Sequence, residues 1–186
     1  MATRIRQLFL AWLAIVLAAG FGITGAQRAR AADTTVISMS QATKSYMIDI
    51  GIGPLANVMT PNQAKGATSG QVLVDPPQAT VESIREAILP ADHYVEVSLH
   101  RASTGALMTA RIPVMSVRNL ETGRSYVVDE LVAMYDVTKG QDDIHFGRNV
   151  YLPAGTYDIT VWAGRDRTVF TNVSVTGDYV RGDKRG

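Results

Sequence analysis

Short runs of alternating apolar and polar residues, each ended by turn-forming residues, recur along most of this chain. Residues 157–161 alternate strictly, with Tyr157, Ile159 and Val161 apolar and the two residues between them polar. Turn formers at 153–155 separate this run from the apolar residues 150–152, so we predict a β-hairpin with one buried face. Elsewhere the turns recur at the ~8 to 12 residue intervals that are typical of a β-sandwich or barrel.

The complete pattern predicts an all-β fold. No helical segment separates successive strands, which favours antiparallel pairing over parallel βαβ units, and an immunoglobulin-like antiparallel β-sandwich fits best. One short helix is predicted at 81–89 from its apolar spacing, and residues 53–70, rich in Pro, Asn and Gly, are predicted to form a long surface connection. The predicted strands are residues 46–52, 71–74, 94–100, 106–111, 114–120, 125–128, 131–137, the two arms of the hairpin at 150–162, and 168–175.

The N-terminal residues have the pattern of a secretory signal peptide. Arg4 and Arg6 precede the apolar run 8–17, and small residues at 29–31 offer a cleavage site. We therefore expect a signal peptide over residues 1–31 and a protein that is periplasmic or otherwise exported. Because the apolar character continues weakly to residue 26, the segment approaches the ~20 residues that span a bilayer, and an uncleaved membrane anchor is the alternative.

The rest of the chain is long enough for one domain with a sizeable core. We predict the sandwich over residues 32–176 and, because residues 177–186 are charged and glycine-rich, a disordered tail. The formal charge of +1 and the scattered basic residues argue against nucleic-acid binding. With no cysteine in the chain, the fold has no disulfide, and a metal site has to use His, Met, Asp, Glu, Tyr or backbone oxygen atoms.

Few residues in the sequence have the pattern of a catalytic or binding site. The chain has no G-x-S-x-G, H-E-x-x-H, phosphate-binding or dinucleotide motif, so we expect no enzyme activity. His145, one of only three histidines, is predicted in a polar loop before the hairpin, where it is available for binding. Asp142 and Asp143 lie beside it and offer oxygen ligands, although acidic pairs in loops are usually only solvated.

The strand predicted at 94–100 has two distinct faces. Alternation places Val95, Val97 and Leu99 in the core and Glu96 and His100 together on the other face. Four residues of strand span ~13 Å, so these two side chains cannot bind one ion unaided, and one of them is expected to be incidental.

Three segments carry a resemblance to a known family. They are YMIDIGIGPLANVMTP at 46–61, HYVEVSLHRASTG at 93–105, and VAMYDV at 132–137 with HFGRNVYLPAGTYDITV at 145–161. In these segments the chain resembles the periplasmic high-affinity ferrous-iron transport proteins, which are iron- and copper-binding immunoglobulin-like sandwiches. The resemblance extends over most of the expected mature chain, and it implies a homodimer.

The resemblance also implies a set of metal ligands. Carried over position by position, the family's H-x-E, methionine and H-[YF]-G-x-N motifs imply Glu96, Met134 and His145 as ligands of an iron or copper ion. Tyr94 stands where the first histidine of H-x-E belongs. His93, one place earlier, is a ligand only if a β-bulge turns it to the other face.

Two functions fit the sequence. The first is an exported metal-binding protein, accessory to iron or copper uptake, that holds the ion and passes it to a membrane permease. The second is a non-catalytic β-sandwich that makes protein contacts at the cell envelope after losing the metal site.

Overall fold

The computed structural model describes residues 37–74, 91–128 and 130–176. The chain divides into two units, Met1–Asp33 and Thr34–Gly186, and every described residue belongs to the second. The predicted signal peptide, the helix at 81–89 and the tail at 177–186 lie outside the described residues. Within the described part no helix is long and apolar enough to cross a membrane.

The described residues form eleven strands and one short 3₁₀ helix, Gly140–Asp143. The strands are β1 Ile37–Ala42, β2 Tyr46–Pro54, β3 Val58–Met59, β4 Gln71–Leu73, β5 His93–Arg101, β6 Val114–Asn119, β7 Ser125–Val128, β8 Val132–Asp136, β9 His145–Val150, β10 Gly155–Ala163 and β11 Asp166–Val175.

These strands build two sheets. The larger has the order β1-β2-β5-β9-β8-β4-β3 and the smaller the order β11-β10-β6-β7. All neighbours pair antiparallel except β3 and β4, which are parallel. The predicted all-β, antiparallel sandwich is thereby confirmed.

The main core lies between the two sheets and follows the alternation in the sequence. In β2, Ile48, Ile50 and Ile52 are at most 2% exposed, and β5 and β10 supply equally buried side chains at every second position. Burying an aliphatic side chain of this size contributes ~1.5–3 kcal/mol, so a one-residue slip in any of these strands would be costly. The register that this core fixes also determines which side chains lie on the outer face of the larger sheet.

The predicted hairpin at 150–162 is wrong, because its two arms belong to different sheets. Val150 ends β9 opposite His93 in the larger sheet, whereas β10 pairs with β6 and β11 in the smaller one. Leu152 is fully buried in the connection between them and donates its N–H to Asp92 Oδ1 at 2.6 Å. Alternation records which residues face a core but not which sheet a strand joins.

Two tyrosine hydroxyls fix residues 151–153, the segment in which the chain passes from the larger sheet to the smaller one. The Tyr157 hydroxyl donates to the carbonyl of Pro153 at 2.6 Å, and the Tyr126 hydroxyl donates to the carbonyl of Tyr151 at 2.8 Å. Burial raises the pKa of Tyr126, so its hydroxyl keeps the proton that it donates.

Three further sequence predictions differ from the structure. Residues 106–111 form no strand but only an isolated bridge between His100 and Leu107. The connection 53–70 contains β3, in which Met59 is 6% exposed. Strand β1, with serine on its exposed face, was not predicted.

Candidate metal centre

Four potential ligand side chains from three adjacent strands meet on the outer face of the larger sheet. Tyr94 and Glu96 are two residues apart in β5, and therefore point the same way. Met134 in β8 is the register partner of His145 in β9, and β9 lies next to β5. The sheet register thus brings together residues that are up to 51 positions apart in the sequence.

The hydroxyl of Tyr94 lies at the centre of this cluster. It is 2.9 Å from Nε2 of His145 and 3.7 Å from Sδ of Met134. The carboxylate of Glu96 approaches the same imidazole nitrogen, with Oε2 3.5 Å away. The phenol oxygen therefore contacts an imidazole and a thioether, and a carboxylate lies beside the same imidazole nitrogen.

The hydrogen bonds of His145 determine which of its nitrogen atoms is available. Nδ1 lies 2.8 Å from the main-chain carbonyl of Asp143, which can only accept, so Nδ1 carries the proton. Nε2 of the neutral ring then presents its lone pair to Tyr94, which donates to it. A metal ion binds histidine through the same lone pair, so the ring is oriented for coordination and capped by the tyrosine.

The environment of Tyr94 keeps its hydroxyl protonated. Burial raises the pKa of Tyr94 well above its usual value, and the charges of Glu96, Asp143 and Asp136 raise it further. Its ring meets the His145 ring edge-on, with centroids 6.3 Å apart and planes at 78°. Tyr94 is therefore a neutral donor held in place by packing as well as by its hydrogen bond.

Two glycines make room for these side chains within the sheet. A Cβ atom on Gly147 would overlap the Tyr94 hydroxyl and ring, and one on Gly51 would lie 2.6 Å from Glu96 Oε1. Gly147 is the register partner of Glu96 in β9, and Gly51 is its partner in β2. An isolated glycine inside a strand is a known sign of such a close approach, so the sequence did contain a signal for these positions.

Four residues of the segment HFGRN, at 145–149, have different structural roles. His145 belongs to the cluster, Phe146 is buried in the main core, and Gly147 leaves space for Tyr94. Asn149 is 7% exposed and pairs through its amide with the main chain of Ala56, accepting from its N–H at 3.0 Å and donating to its carbonyl at 3.0 Å. Those two bonds anchor the loop that forms one wall of the site.

A cleft of about 490 Å³ opens over the cluster. Its lining includes Tyr94, Glu96 and Asp143, together with Lys139, which is paired with Asp143 at 3.2 Å. Gln71 also lines it, and its buried Oε1 has no hydrogen-bond partner among the described residues. Glu96, with a side chain 34% exposed, connects the buried cluster to this cleft.

His93 lies away from the cluster. Pairing of β5 with both neighbouring strands is regular from His93 to Val97, so no bulge turns the side chain to the outer face. The ring is 1% exposed, with Nδ1 2.8 Å from Asp92 Oδ1 and Nε2 3.4 Å from the carbonyl of Thr176. The structure does not bring this fourth predicted ligand together with the other three.

The other three predicted ligands, Glu96, Met134 and His145, do converge. His145 is the first residue of β9 and 3% exposed, so the prediction that it lies in a polar loop is wrong. Asp143 reaches the ring, with Oδ2 3.5 Å from Nδ1, whereas Asp142 is exposed. Across residues 37–74, 91–128 and 130–176, no three His, Cys, Asp or Glu side chains form a metal-holding group. Metal binding by these residues remains a prediction.

Comparison with known proteins gives similarity to solved structures. No protein-family model and no curated protein matches the sequence. A copper-bound variant of Campylobacter jejuni P19 is 15% identical, with a TM-score of 0.44 over 68% of this chain and 74% of that one. A second copper-bound P19 variant is 13% identical, with a TM-score of 0.45 over 76% and 99%. E. coli FetP from uropathogenic strain F11, expressed in the periplasm, is 13% identical, with a TM-score of 0.45 over 76% and 97%.

Proposed function

We propose that this protein is an exported metal-binding protein that holds a copper or iron ion at Glu96, Met134 and His145. One observation carries the proposal: a thioether and an imidazole contact a single buried hydroxyl, and a carboxylate that lines an open cleft approaches the same imidazole nitrogen. Thioether and imidazole donors suit copper, and a carboxylate with an imidazole suits iron. The sequence has no catalytic motif beside these residues, so the proposed role is binding rather than catalysis.

A metal ion that binds at the cluster competes with the Tyr94 hydroxyl for His145. The hydroxyl satisfies the only lone pair that His145 can offer, so an ion entering past Glu96 has to displace this hydrogen bond or take the phenol oxygen as a further ligand. A hydrogen bond of this kind contributes ~1 kcal/mol net, which is small against a coordinate bond from each of three side chains. Tyr94 therefore weakens metal binding without preventing it.

The wider biological role is part of the same proposal. The protein acts in the periplasm or otherwise outside the cytoplasm, receives the ion there, and passes it to the membrane permease of an uptake system. The resemblance to ferrous-iron transport proteins supports this role and a homodimer. The partly exposed Glu96 gives the ion a route to and from the partner without opening the core.

A second candidate is a β-sandwich for protein contacts at the cell envelope in which the metal site is lost. Two observations favour it: Tyr94 already satisfies His145, and the described residues contain no group of three His, Cys, Asp or Glu able to hold a metal. On this alternative the cluster is a structural hydrogen-bond network.

Metal titration of matched methionine variants separates the two functions. Met134 and Met115 are both fully buried, but only Met134 belongs to the cluster. Under anaerobic conditions with a competing chelator, Met134→Leu should weaken Cu(I) binding at the cluster by at least tenfold, whereas Met115→Leu should not. His145→Ala should remove this binding for both Cu(I) and Fe(II). Equal metal content in the wild type and His145→Ala would favour the envelope module.

A further inference from the structure

A second set of the same three ligand types lies on the outer face of the larger sheet. Met47 and Asp49 are two residues apart in β2, and His100 is near the end of β5. Met47 is the register partner of His100, and Asp49 is the partner of Ser98, so all three side chains project from one patch. None of them belongs to the cluster around Tyr94.

These three residues are accessible to solvent. Met47 is 39% exposed, and the side chains of Asp49 and His100 are 36% and 37% exposed. They stand on paired strands rather than on a loop, so the backbone holds their spacing. The patch therefore combines a fixed geometry with open access.

The ring of His100 is oriented with one nitrogen toward Asp49. Nδ1 lies 3.3 Å from the carbonyl of Gly105, to which it can only donate, so Nε2 of the neutral ring carries the lone pair. Nε2 is 3.6 Å from Oδ2 of Asp49. Two acceptors therefore face each other with no proton between them when the imidazole is neutral.

A metal ion fits the space between these two atoms. With metal–ligand bonds of about 2.1 Å, donors 3.6 Å apart subtend about 120° at the ion, which is within ordinary coordination geometry. The Cβ atoms of directly opposed residues in an antiparallel pair lie ~4.5–5.5 Å apart, so the flexible side chain of Met47 can reach the same ion.

We propose that Met47, Asp49 and His100 form a second, shallow copper site. Imidazole and carboxylate hold Cu(II), which forms the strongest complexes of the divalent first-row metals, and the thioether adds affinity for Cu(I). His100 and Glu96 are four positions apart in β5, a distance of ~13 Å along the strand, so this ion is distinct from one held at Tyr94. The proposal goes beyond the function proposed above and does not depend on it.

The two sites differ in what an ion has to displace. At the cluster it replaces the buried hydrogen bond of Tyr94, whereas at the patch the groups it binds are exposed and share no hydrogen bond. The patch should therefore bind copper more weakly and exchange it faster than the cluster.

Paramagnetic broadening of the histidine ring signals by Cu(II) tests the proposal at pH 7.5. The chain has only three histidines, so each ring signal can be assigned from a single substitution. In a His145→Ala background, one equivalent of Cu(II) should broaden the His100 signal first and leave His93 sharp. His145→Ala with His100→Ala should lose this copper equivalent, and Asp49→Asn should weaken it about tenfold.

Two further variants complete the test. Met47→Leu should leave Cu(II) binding nearly unchanged and weaken Cu(I) binding at least fivefold in a chelator competition. Ser98→Ala, on the same face between the two sites, is the matched control and should alter neither. If His145→Ala with and without His100→Ala binds copper equally, or if His100 shows no broadening, Asp49 and His100 are only an ion pair and the second site is refuted. Unchanged copper binding in His145→Ala alone would instead count against the cluster.

Discussion

The hydroxyl of Tyr94 donates to Nε2 of His145 across two neighbouring strands, at 2.9 Å. The opposite nitrogen of the ring is fixed by the carbonyl of Asp143. The imidazole is therefore held in the tautomer that a metal requires, while its lone pair is engaged by a neutral phenol. This contact orders the cluster, and under the proposed function it is the hydrogen bond that an entering ion has to displace.

Removing the Tyr94 hydroxyl should strengthen copper binding at the cluster. Tyr94→Phe keeps the ring packing but frees Nε2 of His145, so we expect Cu(I) affinity to rise about five- to tenfold, in line with a hydrogen bond of ~1 kcal/mol. The freed nitrogen is then buried without a partner, and the apoprotein should lose ~1–2 kcal/mol of stability. Chelator competition and urea unfolding measure the two effects. Weaker copper binding would show instead that the phenol oxygen is a ligand.

Filling the space at Gly147 should damage the site more than filling it at Gly51. A Cβ atom on Gly147 meets the buried ring of Tyr94, which cannot move freely, whereas one on Gly51 meets the flexible end of Glu96. We expect Gly147→Ala to lose ~1–3 kcal/mol of unfolding free energy and the hydrogen bond to His145, and Gly51→Ala to lose less. Urea midpoints and the His145 ring signals check this comparison. Equal losses would mean that Tyr94 adapts as easily as Glu96.

The sequence allowed the strand alternation to be predicted, and it named three of the four side chains that cluster on the outer face, but not Tyr94 between the strands that carry them. Glu96, Met134 and His145 were inferred from a resemblance, and the register brings them together. The contacts of the Tyr94 hydroxyl with His145 and Met134 depend on side-chain packing across three strands, which no local pattern encodes. The sequence could not place His93 for a similar reason, because the sheet face on which its side chain lies depends on whether β5 contains a bulge.

Topology was the other property that local patterns did not provide. The run at 150–162 has the composition of a hairpin, but the buried Leu152 and the bonds from Tyr126 and Tyr157 carry the chain from one sheet to the other. Such contacts join residues from distant strands, so they become visible only after the sheets are assembled. The isolated glycines at 51 and 147 were a local signal of close packing that the strand pattern alone does not use.

Alkaline pH should destabilise the protein partly through its buried tyrosines. The pKa of Tyr94 and that of Tyr126 are both raised in the folded state by burial, while in the unfolded chain both titrate near 10. Above pH 10 the unfolded state therefore binds fewer protons than the native state, and stability falls as pH rises toward the native pKa values. This contribution is fully present below pH 10. Urea midpoints between pH 8 and 11 should fall less steeply in Tyr94→Phe than in the wild type, and parallel slopes would contradict the assignment.

The amide of Asn149 should determine how firmly the wall of the cleft is held. Asn149→Ala removes the bonds to both main-chain groups of Ala56 and leaves a cavity, so we expect a loss of ~2–3 kcal/mol in stability and faster hydrogen exchange at the Ala56 amide. Asn149→Asp is the matched control, because its carboxylate still accepts from the Ala56 N–H but cannot donate to the carbonyl. It should protect that amide while losing part of the stability. If exchange at Ala56 is the same in the wild type and Asn149→Ala, the loop is held by other contacts, and Asn149 does not position the wall of the cleft.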